Sequence, residues 1–145
     1  MHLTDEPLLL DPVLQETFAP EAGALAVFAG TVRNHNDSHA VTRLAYSAHR
    51  PIAEKMLAEI ERETLERFDV TRCRVLHRLG ELAIGDTSVL IVVRSVHRAE
   101  AFAASRHAIE AVKHRVPIWK LEEYADGTKS YVKGCSLHEG HHVEA

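Results

Sequence analysis

Along the chain, short apolar runs alternate with amphipathic stretches. Residues 23–32, GALAVFAGTV, are an apolar run of strand length. Its small residues, Ala24, Ala26, Ala29 and Gly30, leave room for close packing or for a narrow channel. The polar segment 34–39, NHNDSH, reads as a turn-forming loop, and 41–48 as a second strand. Between Pro51 and Phe68 apolar residues return at helical spacing, as Ile52, Ala53, Met56, Leu57 and Ile60, with charges on the other face. Over 70–79, Cys73, Val75, His77 and Leu79 alternate with their neighbours, which predicts a strand. Gly80-Glu81 and Gly85-Asp86 are turn signals. Residues 87–96, TSVLIVVRSV, are apolar almost throughout, as a central strand would be. A second long helix is expected over 98–116, with Phe102, Ile109 and Val112 inward and Pro117 as its stop. Strands over 118–124 and 130–132 flank the turn Asp126-Gly127. Near the amino end, Asp11-Pro12 supplies a capping residue and a proline at the first helical position, opening a short helix that ends near Phe18.

This order of elements predicts the α+β class: a mixed, largely antiparallel sheet with two main helices and a small β subdomain. Residues 1–133 are expected to form one domain and 134–145 a loose tail. With 46% hydrophobic residues, the 145-residue chain has enough apolar surface for one core. No apolar run approaches the ~20 residues that span a bilayer, and the acidic, proline-containing start is unlike a secretion signal. The expected location is therefore cytoplasmic, without membrane association. Net charge is −4 and the basic residues are scattered, which argues against nucleic acid as a partner. Cys73 and Cys135 stand in no paired motif, so neither a zinc framework nor a disulfide scaffold follows. Cys73 reads as a buried thiol and Cys135 as a surface thiol near the tail.

Glycine-rich phosphate loops and nucleophile elbows are missing. His107 and Glu110 lack the rest of a metal motif, and the tail histidines His138, His141 and His142 lack an apolar shell. What remains is a set of cations at element ends, where a scaffold presents side chains to ligands. Arg33 follows the small-residue strand. His97 and Arg98 open the second long helix and Lys113 lies near its end. Lys120 follows Trp119 on the next strand. Arginine grips phosphate through paired N–H groups. A desolvated lysine serves as proton donor, base or nucleophile. Taken singly, each of these charges also reads as an ordinary solvated side chain, and Trp119 as a core or interface aromatic.

Four segments carry a resemblance. They are residues 30–36 (GTVRNHN), 77–81 (HRLGE) with Gly85-Asp86, 95–99 (SVHRA) with Ala101-Phe102, and Lys113 followed by 117–122 (PIWKLE). In order and spacing the chain resembles the molybdopterin synthase large-subunit family. The resemblance implies an α/β hammerhead fold and a heterotetramer in which two large subunits pair centrally and each carries a small ubiquitin-like subunit. That small subunit ends in Gly-Gly, and its terminal thiocarboxylate supplies sulfur. The implied substrate is cyclic pyranopterin monophosphate, converted to the dithiolene of molybdopterin in two transfers. The sulfur arrives on the partner, so neither a catalytic cysteine nor a cofactor of the chain's own is implied. Implied substrate-binding positions are Thr31, Val32, Arg33, His97, Arg98, Lys113, Lys120, Leu121 and Glu122, with Lys113 and Lys120 tied to catalysis. Some relatives carry an arginine near Cys135, where this chain has Lys133.

A geometric consequence follows without the family. His97 and Lys113 are sixteen positions apart, about 24 Å along a continuous helix at ~1.5 Å per residue. Either the helix breaks, or one pocket draws on two protomers; the second option is preferred. A cluster of cations is also expected to depress a lysine pKa by like-charge repulsion. Three other readings compete: metal-free phosphoester processing, a non-catalytic module that binds a ubiquitin-like protein, and metal binding through some of the histidines.

Overall fold

The computed structural model describes residues 1–36 and 39–133. Its first sheet is built around strand β7 (Thr87–Ser95), whose residues 88–93 are all buried. β7 pairs antiparallel with β2 (Ala24–Thr31) on one side and with β5 (Arg72–Arg78) on the other. β1 (Leu3–Thr4) adds to β5 in parallel, giving the order β1-β5-β7-β2. The sequence did not announce β1. It is two residues long, and its position depends on Glu54 of the next long helix, whose carboxylate accepts from the His2 and Leu3 backbone N–H groups at 2.7 and 2.9 Å.

The second sheet has β4 (His39–Ala48) at its centre. It takes β3 (His35–Asn36) on one side, β8 (Ile118–Tyr124) and then β9 (Lys129–Lys133) on the other, and β6 (Gly80–Leu82) along its later half. Gly80-Glu81 is thus strand as well as turn. Gly80 has φ 95°, a backbone that suits glycine, and it swings the chain from the first sheet to the second. Every pairing but β1 with β5 is antiparallel, as the α+β reading requires.

Helices α2 (Arg50–Arg67) and α3 (Arg98–Arg115) cover one face of the first sheet, and α1 (Leu10–Glu16) packs on β7 from the other. α1 starts one residue before Asp11, which therefore sits in the first turn rather than at the cap. There its carboxylate favours the positive end of the helix dipole. α2 buries Ala53, Leu57, Ile60 and Thr64, while Ile52 points outward at 47% exposure. α3 departs further from expectation. Its buried face is Ala101, Ala104, Ser105, Ala108, Ala111 and Val112, and Phe102 is 68% exposed. The alanines let the helix axis approach the sheet closely, and that stripe excludes Phe102.

Ile91, Val92 and Val93 are fully buried, each contributing about 1.5–3 kcal/mol by removal from water. Cys73 is a buried free thiol, which burial pushes up to about 12. Among the described residues no helix is long and apolar enough to cross a membrane. The tail residues, Cys135 among them, lie outside the described residues, as do Asp37 and Ser38.

Candidate active site

A cavity of about 200 Å³ opens where the two sheets meet at the end of α3. Three elements bring cations to it. Arg33 follows β2, Lys113 stands in the last turn of α3, and Lys120 projects from β8. Thr31, Val32 and Glu122 also line it, so six of the nine implied binding positions converge.

The other three do not line it. Leu121 lies on the opposite face of β8 from Lys120 and Glu122, as strand alternation requires. Trp119 shares that far face, 41% exposed, away from the cavity. His97 and Arg98 are exposed at the start of α3. The helix runs unbroken for 18 residues, so it does not bend to bring them to Lys113.

Glu122 is the buried anchor, 2% exposed. Its carboxylate accepts from Asn36 Nδ2 at 2.8 Å and from the Tyr124 hydroxyl at 3.0 Å, and lies 3.9 Å from Lys120 Nζ. Lys120 is held below the ordinary lysine range. Burial is the main cause, the Glu122 charge opposes it, and the Arg33 charge adds to it. Like-charge repulsion, the expected cause, is thus secondary to desolvation.

The sequence reading missed Tyr46, Ser88 and Asn36. Tyr46 faces Lys120 directly across the β4–β8 ladder. Burial raises its phenol pKa, the hydrogen bond with Ser88 works against the rise, and the Glu122 charge adds to it. Tyr46 therefore stays protonated as a hydrogen-bond donor. Ser88 Oγ donates to the Gly30 carbonyl at 3.2 Å. A Cβ on Gly30 would come within 2.6 Å of Val89 Cγ1, so a side chain here would force Val89 or the strand to shift. Each of these placements depends on cross-strand register, which a single sequence does not display.

The profile of the MoaE protein family matches residues 3–115. The chain belongs to the MoaE family. It is 45% identical over 128 residues to molybdopterin synthase catalytic subunit 1 of Mycobacterium tuberculosis, covering 88% of this chain and 87% of that one. A molybdopterin synthase catalytic subunit of Halalkalibacterium halodurans is 41% identical over 142 residues, covering 92% and 91%. The crystal structure of molybdopterin synthase from Staphylococcus aureus superposes with a TM-score of 0.84 at 38% identity, covering 90% of this chain and 94% of that chain. Among the described residues of this MoaE-family chain, no three His, Cys, Asp or Glu side chains gather as a metal site.

Beside Tyr46 lies His77, the rings edge to face at 5.2 Å. Its Nδ1 donates to the Arg78 carbonyl at 2.8 Å. His77 is 2% exposed. Burial lowers its pKa to about 4, the Arg78 carbonyl opposing and the Lys113 charge assisting. Its unfolded value is about 6.5, so on acidification the unfolded chain takes up this proton first. The stability contribution is intact above about pH 6.5 and is lost progressively towards pH 4, by up to about 3 kcal/mol. Denaturant unfolding at pH 7 and pH 5 is expected to show this loss in the parent protein and a flatter profile in His77→Gln. Equal slopes would assign the loss to other groups. Glu54 and Glu63, whose carboxyl pKa values are lowered, act below about pH 4.5.

Proposed function

We propose that this chain is the catalytic subunit of a molybdopterin synthase, a sulfurtransferase. It would accept sulfur from the C-terminal thiocarboxylate of a small ubiquitin-like partner ending in Gly-Gly, and deliver it to cyclic pyranopterin monophosphate to build the dithiolene. The observation that carries the reading is the convergence of Arg33, Lys113 and a desolvated Lys120 on one cavity backed by buried Glu122. The names of the relatives, 41–45% identical over most of their length, support it. Metal-free phosphoester processing also needs cations, but it gives no role to a protein partner. A binding module without catalysis gives no reason to desolvate a lysine.

In this reading Arg33 takes the substrate's phosphate with His97 and Arg98. The thiocarboxylate sulfur attacks a side-chain carbon of the pterin, forming the carbon–sulfur bond as a carbon–oxygen bond at that carbon breaks and its oxygen leaves protonated; water then cleaves the acyl–sulfur bond, leaving sulfur on the pterin and a carboxylate on the partner. Lys113 and Lys120 move the accompanying protons, and the Tyr46 hydroxyl donates to an oxygen that gains charge. The continuity of α3 supports a site shared between two copies, with His97 and Arg98 from one and Lys113 and Lys120 from the other.

The reading is tested by mixing the protein with a thiocarboxylated small subunit and the cyclic pyranopterin. Dithiolene product is expected; a stable complex without product supports the binding-module alternative. Two inactive variants, His97→Ala and Lys113→Ala, are expected to regain part of their activity when mixed. One shared site in each mixed dimer keeps all its groups. No recovery after proven subunit exchange would rule out the shared site.

A further inference from the structure

Two stretches of chain cross between the sheets side by side. One is residues 32–34, which lead from β2 to β3. The other is the turn 83–86, which leads from β6 to β7. A reciprocal pair of backbone bonds ties them. The Val32 N–H donates to the Asp86 carbonyl at 2.9 Å, and the Gly85 N–H donates to the Val32 carbonyl at 2.8 Å. Two residues further on, the Asn34 carbonyl accepts from the Val41 N–H of β4 at 2.8 Å. Val32 is also 4% exposed and packed in the core. Arg33 is therefore an exposed side chain on a backbone pinned immediately before and immediately after it.

The turn takes its shape from Gly85 and Asp86. The Asp86 N–H closes it on the Ala83 carbonyl at 3.0 Å. Gly85, third of the four residues, has φ 89°, and a positive φ at that position favours glycine. The Asp86 carboxylate then braces the turn. Its Oδ2 accepts from the Ala83 N–H at 2.9 Å and from Arg78 Nη1, at the end of β5, at 3.4 Å. One carboxylate thus joins the turn to the first sheet, and the turn in its place holds Val32. Asp86 does not line the cavity that Arg33 faces. Ordering a long side chain on a ligand costs entropy, and a fixed backbone beneath it removes part of that cost.

We propose that Asp86 is a positioning residue for Arg33: through the 83–86 turn and Val32 it holds the guanidinium against the cavity, on the Lys120 side, and so sets the affinity of the site for a phosphate-bearing ligand. It touches neither the ligand nor the reacting atoms. The two crossings carry the effect because each is short and each is tied to the other rather than to its own flanking strands. The positioning stands on these hydrogen bonds alone. Its meaning for the pterin monophosphate rests on the function proposed above.

The test reads Arg33 without ligand and then with it. The Arg33 charge lowers the Lys120 pKa, so the titration of Lys120, followed by NMR, reports where that charge stands. Asp86→Ala is expected to move this titration upwards, part of the way to Arg33→Ala. Loss of the Asp86 charge acting directly on Lys120 would move it downwards. Gly85→Ala leaves every charge in place, and its Cβ meets nothing within 4 Å, but it strains φ 89°. It is expected to give the same upward shift, with faster exchange of the Val32 amide. Asp86→Asn keeps an acceptor for Ala83 and is expected to recover most of the parent value. In an Arg33→Ala background none of these changes is expected to move Lys120 further. With ligand, Asp86→Ala is expected to lose about 3–10-fold in affinity for the cyclic pyranopterin monophosphate, and none for the same pterin without its phosphate. Three outcomes overturn the proposal: an unmoved Lys120 in both Asp86→Ala and Gly85→Ala, shifts that add to that of Arg33→Ala, or equal loss for both pterins. A parent protein that binds neither pterin would count against the proposed function, and the Lys120 titration would still decide the positioning.

Discussion

Lys120→Arg is expected to lower dithiolene formation about 10²–10⁴-fold, the range of a lost general acid or base, while substrate affinity changes only a few-fold. The two effects separate because arginine keeps the charge and loses the titration. Lys120 is held below its ordinary range mainly by burial. A neutral amine is therefore closer to reach at neutral pH than on a surface lysine. A guanidinium does not deprotonate in this environment. Single-turnover rates with saturating thiocarboxylated partner, set beside binding of the pterin monophosphate, measure both quantities. Near-parent turnover in Lys120→Arg would remove proton transfer from Lys120 and leave it an electrostatic contact.

Glu122→Ala is expected to cost about 3 kcal/mol of stability, since removing one member of a buried charged pair leaves the other partners uncompensated. Three groups lose their acceptor or counter-charge: Asn36 Nδ2, the Tyr124 hydroxyl and Lys120 Nζ. Those groups come from β3 and β8, so the loss also loosens the cavity wall. Glu122→Gln keeps an acceptor for Asn36 and Tyr124 and is expected to be milder in chemical denaturation. Its distinct signature lies in turnover against pH. The Glu122 charge raises the Lys120 pKa, so neutralising it moves the limb belonging to Lys120 to lower pH. An unmoved profile with reduced stability would restrict Glu122 to a structural role.

Much of the frame was legible because it depends on local pattern. β7 is apolar at nearly every position, and only a strand covered on both faces needs that. His77 fell on the inward parity of β5, where it is found. Phe102 was misread because apolarity was equated with burial. α3 instead spends its inward face on alanine and leaves its largest side chain outside. β1 and β6 were not legible, being two and three residues long and held by partners remote in the chain. The site divides the same way. Arg33, Lys113 and Lys120 stood out as cations at element ends. Tyr46 and Ser88 did not, because what selects them is the residue opposite in another strand. The remoteness of His97 from Lys113 was readable from helical rise alone.

The placement of β7 has a consequence during synthesis. A nascent chain that stops short of Thr87 already contains β1, β2 and β5, yet nothing joins β2 to β5, because β7 lies between them. The apolar β2 segment emerges from the ribosome some sixty residues before the strand that covers it. Until then it is a sticky, unclaimed ribbon, the kind of segment that chaperones hold and that aggregates when synthesis is crowded. Closure of the sheet awaits β7, so stalling before Ser95 harms solubility more than the same delay over β8 and β9.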